Sequence, residues 1–567
     1  MPQPTDDERI ALAEAWIAQD PDPETRDELA AVVAAVRDGD DAASADLASR
    51  FDERLAFGTA GLRGEIAAGP NRMNRVLVSQ GAAGLAAYLL EHAADGAVPS
   101  VVVGYDGRRN SEVFARDVAE VMSGVGVRAV LLPRLLPTPV LAFAVRHLDT
   151  SAGVMITASH NPPNDNGMKV YLGGEDAGSQ IVAPADGEIA AHILRVAHGT
   201  LVPDLPRGEV ETADESVVDA YIAATAAVAS PPAAQPRAVY TAMHGVGWET
   251  LQRVLEAAGF DAPELVGAQI EPDGRFPTVA FPNPEEPGAM DLSFEAARAA
   301  GADLVIANDP DADRLAVAIP DASASEGYRR LSGNEVGLLL GWQVAEGLAG
   351  STTDGAGPRG TLACSIVSSP GLEAIARAYG LDFRATLTGF KWISRAPDLA
   401  FGYEEALGYL VNPGTVRDKD GISAAVAFLS LAARLAAEGR TVADHLDEFA
   451  ERFGAHESTQ VSIRVTDLSR ISDIMARLRA RPPAEVGGIR VARIDDLAQG
   501  ADGYPPSDVL RLVLDGDARV MVRPSGTEPK LKVYIDASAA EGSVAERRAA
   551  AADVVARLEA GMRELIA

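Results

Sequence analysis

One pattern constrains the fold more than any other: an apolar, strand-like run that enters a loop and then a helix, repeated three times. Val101-Val102-Val103-Gly104-Tyr105-Asp106, Val239-Tyr240-Thr241-Ala242-Met243-His244 and Leu362-Ala363-Cys364-Ser365-Ile366-Val367 each open a block. A Gly-containing helix end and a second apolar stretch follow in each case, at Gly126 to Leu131, Gly259 to Asp261 and onward, and Gly380 to Arg384. Each block closes on a third strand that delivers polar residues, at Gly153 to Asn161, Asp303 to Asp313 and Leu399 to Glu405. Strand-helix alternation implies parallel or mixed sheets covered by helices, so three related α/β domains are expected.

A chain of 567 residues is too long for one hydrophobic core. After Glu451-Arg452-Phe453-Gly454 the pattern alternates, as in Gln460 to Val465. Strands at Val509 to Leu514, Ala518 to Val522 and Leu531 to Ile535, closed by an Ala-rich helix from about Val544, predict a smaller α+β domain. Pro203-Asp204-Leu205-Pro206-Arg207-Gly208 reads as a linker. The first fifty residues read as amphipathic helices, with Leu12, Ala15 and Trp16 on one face, packed on the first domain. The expected partition is 1–205, 206–325, 326–453 and 454–567, an α/β architecture of three related mixed-sheet domains plus a smaller C-terminal α+β domain.

Composition limits the partners. Net charge is −32, so the surface repels nucleic acid and anionic membrane, and an anionic ligand needs a local cluster of Arg, Lys and backbone N–H groups. The single cysteine, Cys364, precludes an intramolecular disulfide, fits a reducing cytoplasm, and sits in a buried-type strand. No secretory leader or membrane-spanning run is apparent, and a cytoplasmic location is expected.

The chemistry concentrates in three motifs. In Thr157-Ala158-Ser159-His160-Asn161-Pro162-Pro163, followed by Asn166-Gly167-Met168-Lys169, the run Gly153-Val154-Met155-Ile156 is a short strand that the Pro/Asn-rich segment stops. Ser159 therefore sits at a strand's C-terminal edge, where open α/β sheets place their chemistry. A rigid turn carrying a hydroxyl, the His160 imidazole and the Lys169 ammonium suits a nucleophile. Taken alone it would be a polar turn.

Asn308-Asp309-Pro310-Asp311-Ala312-Asp313-Arg314 follows the apolar Leu304 to Ala307. Three carboxylates at alternate positions need raised pKa values or a cation between them, and oxygen-only ligands favour a hard ion such as Mg²⁺. An EF-hand is excluded, because Arg314 stands where its sixth-position Gly would be and Pro320 where its twelfth-position Glu would be. In Arg523-Pro524-Ser525-Gly526-Thr527-Glu528-Pro529-Lys530, the Ser525-Gly526-Thr527 turn offers N–H groups and hydroxyls to an anion, with charge from Arg523 and Lys530. No Walker or dinucleotide spacing accompanies it. Two further clusters lie near strand ends: Phe57 to Glu65, carrying Arg63 on a Gly-rich loop, and Gly402 to Tyr409, whose Glu404 and Glu405 can accept bonds from sugar hydroxyls.

Together, in this order, these motifs resemble the α-D-phosphohexomutase superfamily of phosphoglucomutases and phosphomannomutases, over nearly the whole chain, and the resemblance implies that the four domains surround a central cleft. The resemblance implies that Ser159 carries the phosphoryl group and that Asp309, Asp311 and Asp313, with Ser159, hold Mg²⁺. Glu404 and Glu405 would contact sugar hydroxyls, while Arg523, Ser525, Gly526, Thr527 and Lys530 would hold the non-reacting phosphate. Lys169, Arg63 and His160 would act at the reacting oxygen, and Arg314 and Lys391 would bind substrate. A bisphosphorylated sugar such as glucose 1,6-bisphosphate would be the intermediate and activator, and a monomer or homodimer the active form.

Departures bear on the sugar. Ala406 stands where a hydroxyl-bearing Ser often follows the sugar-loop Glu, and Tyr409 stands near a His of many phosphomannomutases. The Phe57 to Gly64 opening, Gly389-Phe390-Lys391-Trp392 and Glu404 to Tyr409 are most similar to the branch of phosphoglucomutase-2-type enzymes and phosphopentomutases. Glucose 1-phosphate is therefore the first expectation, with pentose and mannose phosphates following. The reading from another class is a phosphosugar phosphatase or a non-catalytic phosphosugar-binding protein on the same scaffold.

Overall fold

The computed structural model describes residues 4–350, 357–465, 469–501, 503–524 and 530–566. It falls into two compact units, Met1–Arg330 with Gly408–Ser430, and Leu331–Leu407 with Leu431–Ala567.

The first unit opens with helices Asp6–Gln19, Pro23–Arg37 and Asp41–Phe51. Each start is written in the sequence: Thr5 and Glu8 form a reciprocal capping box, Asp22 caps a helix that begins on a proline, and Asp40 caps the third. Their buried stripe, Ile10, Ala13, Trp16, Leu29, Val33, Leu47 and Phe51, packs on Val76, Leu77 and Val202. The face differs from the expected one. Trp16 is buried, but Leu12 is 50% exposed and Ala15 faces solvent, because the stripe runs through positions 10, 13, 16 and 17 and leaves Leu12 on its border.

The first sheet runs Leu62–Glu65, Asp165–Leu172, Ala152–Ile156, Ser100–Tyr105, Arg128–Leu131, Glu211–Thr212. Its middle strands Ala152–Ile156, Ser100–Tyr105 and Arg128–Leu131 are parallel, and Asp165–Leu172 returns antiparallel beside Ala152–Ile156. The second sheet repeats this plan. Leu304–Asn308, Ala238–Thr241 and Glu264–Leu265 are parallel, and Leu315–Pro320 returns antiparallel beside Leu304–Asn308. Such central strands are covered on both faces, which is why they read as continuous apolar runs. The segment read as a linker is strapped down: Gly208 N donates to Glu120 O at 2.9 Å, and Arg207 pairs with Asp117 at 2.8 Å. Glu211–Thr212, beyond the break expected at 205, then joins the first sheet.

In the second unit, Thr361–Ser365 lies between Asp382–Thr386 and Leu399–Glu404, all parallel. All three blocks thus place the first strand between the second and the third, the repetition visible in the sequence. Cys364 is buried in this sheet, and burial pushes its thiol up to about 12. The remaining sheet runs Ala455–Arg464, Lys530–Ala539, Arg519–Pro524, Leu510–Leu514, Ile489–Asp496, Glu485–Val486 and is antiparallel throughout. Helices Ser469–Ala480 and Val544–Ile566 contribute Ile474, Met475, Leu558 and Met562 to its core. Among the described residues no single helix is long and apolar enough to cross a membrane.

Candidate active site

Segment 157–164 links Ala152–Ile156 to the returning strand Asp165–Leu172. Ser159 stands in the left-handed region at φ 52°, where a non-glycine residue needs outside support. Local bonds supply part of it: Ser159 N donates to Thr157 Oγ1 at 2.8 Å, and Asn161 N to Ala158 O at 3.0 Å. Gly167 is required where the strand returns, since a Cβ there would lie 2.7 Å from Leu62 O and 2.8 Å from Thr157 O. Ser159 Oγ donates to Asp309 Oδ2 at 2.7 Å and lies 3.1 Å from His160 Nδ1. Arg63 sits on the edge strand opposite Gly167 and donates to Asn161 Oδ1 at 3.2 Å, with its Nε buried and unpartnered.

The acidic loop has the same setting, the connection between Leu304–Asn308 and the antiparallel Leu315–Pro320. Asn308 is clamped between Tyr240 OH, which donates to its Oδ1 at 2.9 Å, and Arg314 O, which accepts from its Nδ2 at 2.6 Å. Ala312 turns left-handed at φ 54°, and its N–H donates to Asp309 O at 2.8 Å. A Cβ on Gly245 would meet the Pro310 backbone at 2.3 Å, so only glycine admits this close approach.

Asp309, Asp311 and Asp313 are buried, with one oxygen of each within 4.8 Å of the others. Lys169 Nζ reaches across from the first sheet to Asp311 Oδ2 at 2.7 Å and Asp313 Oδ2 at 2.8 Å. Arg314 Nε lies 3.9 Å from Asp309 and 3.8 Å from Asp313. Burial disfavours the Lys169 charge, but Asp311 and Asp313 more than offset it, and its pKa stands above the usual lysine value. Burial and Asp311 push Asp313 up, while Lys169, Lys419 and Arg314 pull harder and leave it below the usual carboxylate range. Burial, then Arg314 and Arg63, hold His160 well below an ordinary histidine, so it is neutral at pH 7.

A hard cation fits this donor set. Asp311 Oδ1 and Asp313 Oδ1 are buried without a hydrogen-bond partner, and a carboxylate oxygen left so is costly unless a cation takes it.

The other expected site residues belong to the second unit. Glu404 ends the strand Leu399–Glu404 and is half-buried. Glu405 Oε2 accepts from Ser365 Oγ at 2.9 Å and Ser368 Oγ at 3.0 Å, so hydroxyl groups of the chain itself hold this carboxylate. Lys391 lies on the short helix Phe390–Ile393. Arg523 and Lys530 stand on adjacent antiparallel strands, and the buried Tyr534 shares a hydrogen bond with Arg523. Ser525, Gly526 and Thr527 lie outside the described residues. Tyr409, in the first unit, is fully buried and hence a core residue.

Three groups escaped the sequence reading. Thr138 Oγ1 donates to Asp311 Oδ2 at 2.7 Å. Lys419 Nζ, also buried, lies 3.3 Å from Asp313 and 3.4 Å from Asp418, whose Oδ2 accepts from Tyr171 OH and Gln180 Nε2, each at 2.9 Å. Arg108, at the end of Ser100–Tyr105, is buried beneath the serine loop. Thr138 and Arg108 leave no distinct sequence signal, and that of Lys419 is only the charged run Arg417-Asp418-Lys419-Asp420 abutting the apolar helix Gly421–Ala437.

Comparison with known proteins places the architecture. Residues 54–198, 219–322 and 332–453 match α/β/α domains I, II and III of phosphoglucomutase/phosphomannomutase, and residues 461–554 match its C-terminal domain. The chain belongs to the phosphoglucomutase/phosphomannomutase family. Within it, the chain is a mutase, an isomerase of the phosphohexomutase kind. It is 53% identical to a probable phosphomannomutase of Haemophilus influenzae over 87% of this chain and 98% of that protein. It is 35% identical to a Staphylococcus epidermidis phosphoglucomutase over 85% of this chain and 91% of the relative. A solved structure of a Thermus thermophilus phosphomannomutase candidate superposes with a TM-score of 0.68 at 25% identity, covering 91% of this chain and 99% of that one.

Proposed function

We propose that the protein interconverts hexose 1-phosphate and hexose 6-phosphate, glucose first, through a phosphoserine at Ser159 and a bisphosphorylated sugar. The observation that carries this reading is Ser159 Oγ, 2.7 Å from Asp309 Oδ2 and at the edge of an acidic cluster with two unpartnered oxygens. In the first half-reaction the Oγ–P bond breaks, a sugar oxygen forms the new P–O bond and gives its hydroxyl proton to a nearby base, and Ser159 Oγ takes up a proton as it leaves. In the second half-reaction the other phosphate's bond to its sugar oxygen breaks, Ser159 Oγ loses its proton and forms the new O–P bond, and the freed sugar oxygen takes up a proton. Mg²⁺ held by Asp309, Asp311, Asp313 and Ser159 would offset the negative charge on the phosphoryl oxygens in flight.

Lys169 and Arg63 sit where charge and proton must be managed, and His160, neutral and 3.1 Å from Ser159 Oγ, can take or return a proton. Arg314 binds substrate beside the acidic loop. In the second unit, Glu404 with Glu405 behind it reads sugar hydroxyls, and Lys391 contributes a cation. Arg523 and Lys530, with Ser525, Gly526 and Thr527, hold the phosphate that is not reacting. The proposed division of labour is 1–205 for the serine, whose sheet Glu211–Thr212 extends, 206–325 for the metal, 326–453 for the sugar and 454–567 for the distal phosphate.

Mannose phosphate is the second reading, favoured by the 53% identity to a probable phosphomannomutase. Rates with glucose, mannose and ribose 1-phosphates, with Mg²⁺ and a trace of glucose 1,6-bisphosphate, test both readings beside Ser159→Ala. Isomerisation lost in Ser159→Ala is expected, and the fastest sugar assigns the substrate. Release of free phosphate, or ligand binding without turnover, would refute the mutase reading in favour of a phosphatase or a binding protein.

A further inference from the structure

Ser159 holds a left-handed backbone in a loop of two prolines and several polar residues, and the local bonds named above fix only its start. Beyond it Asp165 N donates to Pro162 O at 3.0 Å, Asn161 Nδ2 to Asp165 Oδ2 at 2.9 Å and Ile66 N to Asn164 O at 2.8 Å, but the remaining carbonyls converge on one side chain. Arg108 Nη2 donates to Ser159 O at 2.6 Å and to Asn161 O at 2.7 Å, and its Nη1 donates to Pro162 O at 2.8 Å and Asp165 O at 3.1 Å. One planar guanidinium therefore gathers four carbonyls, from the nucleophile to the first residue of the returning strand. A lysine could not repeat this, because its ammonium has three donors on one atom and no fork.

The guanidinium is itself immobilised from two sides. Asp106 Oδ2 lies 3.7 Å from Arg108 Nε, and Asp106 Oδ1 is fixed by Arg108 N at 3.0 Å and Ser111 Oγ at 2.6 Å. Phe276, from a loop of the second α/β domain, lies 4.9 Å beneath the guanidinium carbon. That loop is pressed close, for a Cβ on Gly107 would stand 3.0 Å from Pro272 and one on Gly274 would stand 2.8 Å from Arg109 N. Two domains thus pinch Arg108, which in turn shapes the serine loop that faces Asp309.

We propose that Arg108 is the positioning residue of the phosphoryl-transfer step: it sets the Ser159 loop in the geometry that aims Oγ at the acidic cluster, and Phe276 seats it. Arg108 touches neither sugar nor phosphate and acts through the Ser159 backbone. The proposal rests on the mutase reading above, and it predicts that phosphoryl transfer suffers while sugar-phosphate binding does not. A displacement of about 1 Å at a reacting atom lowers a rate by roughly a hundredfold.

The test is Arg108→Lys, measured as kcat and KM for the preferred sugar 1-phosphate, with hydrogen–deuterium exchange over peptides covering 157–168. The expected result is a kcat lower by roughly tenfold to a hundredfold, a KM within about threefold, and faster exchange confined to that loop. A kcat within about twofold of the unmodified protein, or equal losses in kcat and folded fraction with unchanged exchange in 157–168, would overturn the proposal. If Arg108→Lys does not fold, Phe276→Leu decides, since it keeps all four hydrogen bonds possible and removes only the seat. A lowered kcat with retained KM supports the proposal, and unchanged kcat and exchange overturn it. Should the unmodified protein show no isomerisation, the mutase reading falls, while exchange over 157–168 still reports whether Arg108 holds the loop.

Discussion

Lys169 is the buried cation whose removal tests the acidic cluster most directly. Its side chain is 6% exposed, and its ammonium makes charge-assisted bonds to Asp311 and Asp313 at 2.7 and 2.8 Å. Lys169→Met keeps the length of the side chain and deletes both bonds. Lys419 at 3.3 Å from Asp313 and Arg314 at 3.8 Å remain, so Asp311 is the more exposed to the loss. Bonds of this kind contribute about 1.5–3 kcal/mol each, and stripping one partner from a buried ion pair costs about 3–5 kcal/mol. We take about 4 kcal/mol, because the two bonds share one donor and do not add. Near 2 °C per kcal/mol for a domain of this size, the first melting transition in chelator should fall by roughly 8 °C. Mg²⁺, which can replace the missing charge, should restore a large part of that loss in Lys169→Met and less in the unmodified protein. The Lys169 pKa stands above the usual lysine value, so its contribution is fully present throughout neutral pH and the loss should be the same at pH 6 and 8. Differential scanning calorimetry at pH 6 and 8, with chelator and with Mg²⁺, measures all four numbers. An unchanged transition in chelator at both pH values would refute the argument that Lys169 neutralises the cluster.

Chelation should abolish isomerisation and Mg²⁺ should restore it; full turnover in excess chelator would refute the metal assignment of Asp309, Asp311 and Asp313. Gly245→Ala, which drives a methyl to within 2.3 Å of Pro310, should shift the acidic loop and lower kcat by at least about tenfold, whereas a native rate would show that the loop gives way freely. His445, buried against Trp342 at 4.2 Å and near Glu448, has a pKa lowered by burial despite that carboxylate. Its proton favours the unfolded chain, so melting of the second unit should drop as pH falls below about 6.5, and His445→Phe should flatten that slope; an identical slope in both proteins would rule His445 out.

The three strand trios were legible because central strands of a covered sheet are apolar along their whole length, and the polar residues that end them mark the sheet edge. Ser159 and the aspartates were legible for the same reason: a hydroxyl or three carboxylates directly after such a run have no packing role. Arg108 and Lys419 were not, since a charged residue in a loop looks the same in sequence whether water or backbone carbonyls surround it. Glu211–Thr212 escaped because a two-residue, exposed edge strand joins its sheet through backbone bonds and leaves no side-chain pattern. Leu12 misled because a single apolar residue on the border of a helical stripe fits two adjacent faces. Ile489–Asp496 went unread because its period is broken by a register shift between Val491 and Arg493 and masked by Arg490, Arg493, Asp495 and Asp496.

The acidic loop also has a birth order. Asp309 to Asp313 are made early, yet Lys419 and Gly421, which donates its N–H to Ala312 O at 3.2 Å, come from a segment roughly a hundred residues later. At about 5–20 residues per second a ribosome needs roughly 5–20 s to cross that gap. During that interval the emerging first unit holds three carboxylates destined for burial with one of their cations still untranslated. A nascent chain arrested late enough for Arg330, but not Lys419, to have cleared the ribosome should therefore be cut by protease at 309–314, and one arrested late enough for Ser430 to have cleared it should resist. Equal cleavage in the two would mean that the loop closes without its late-arriving lysine.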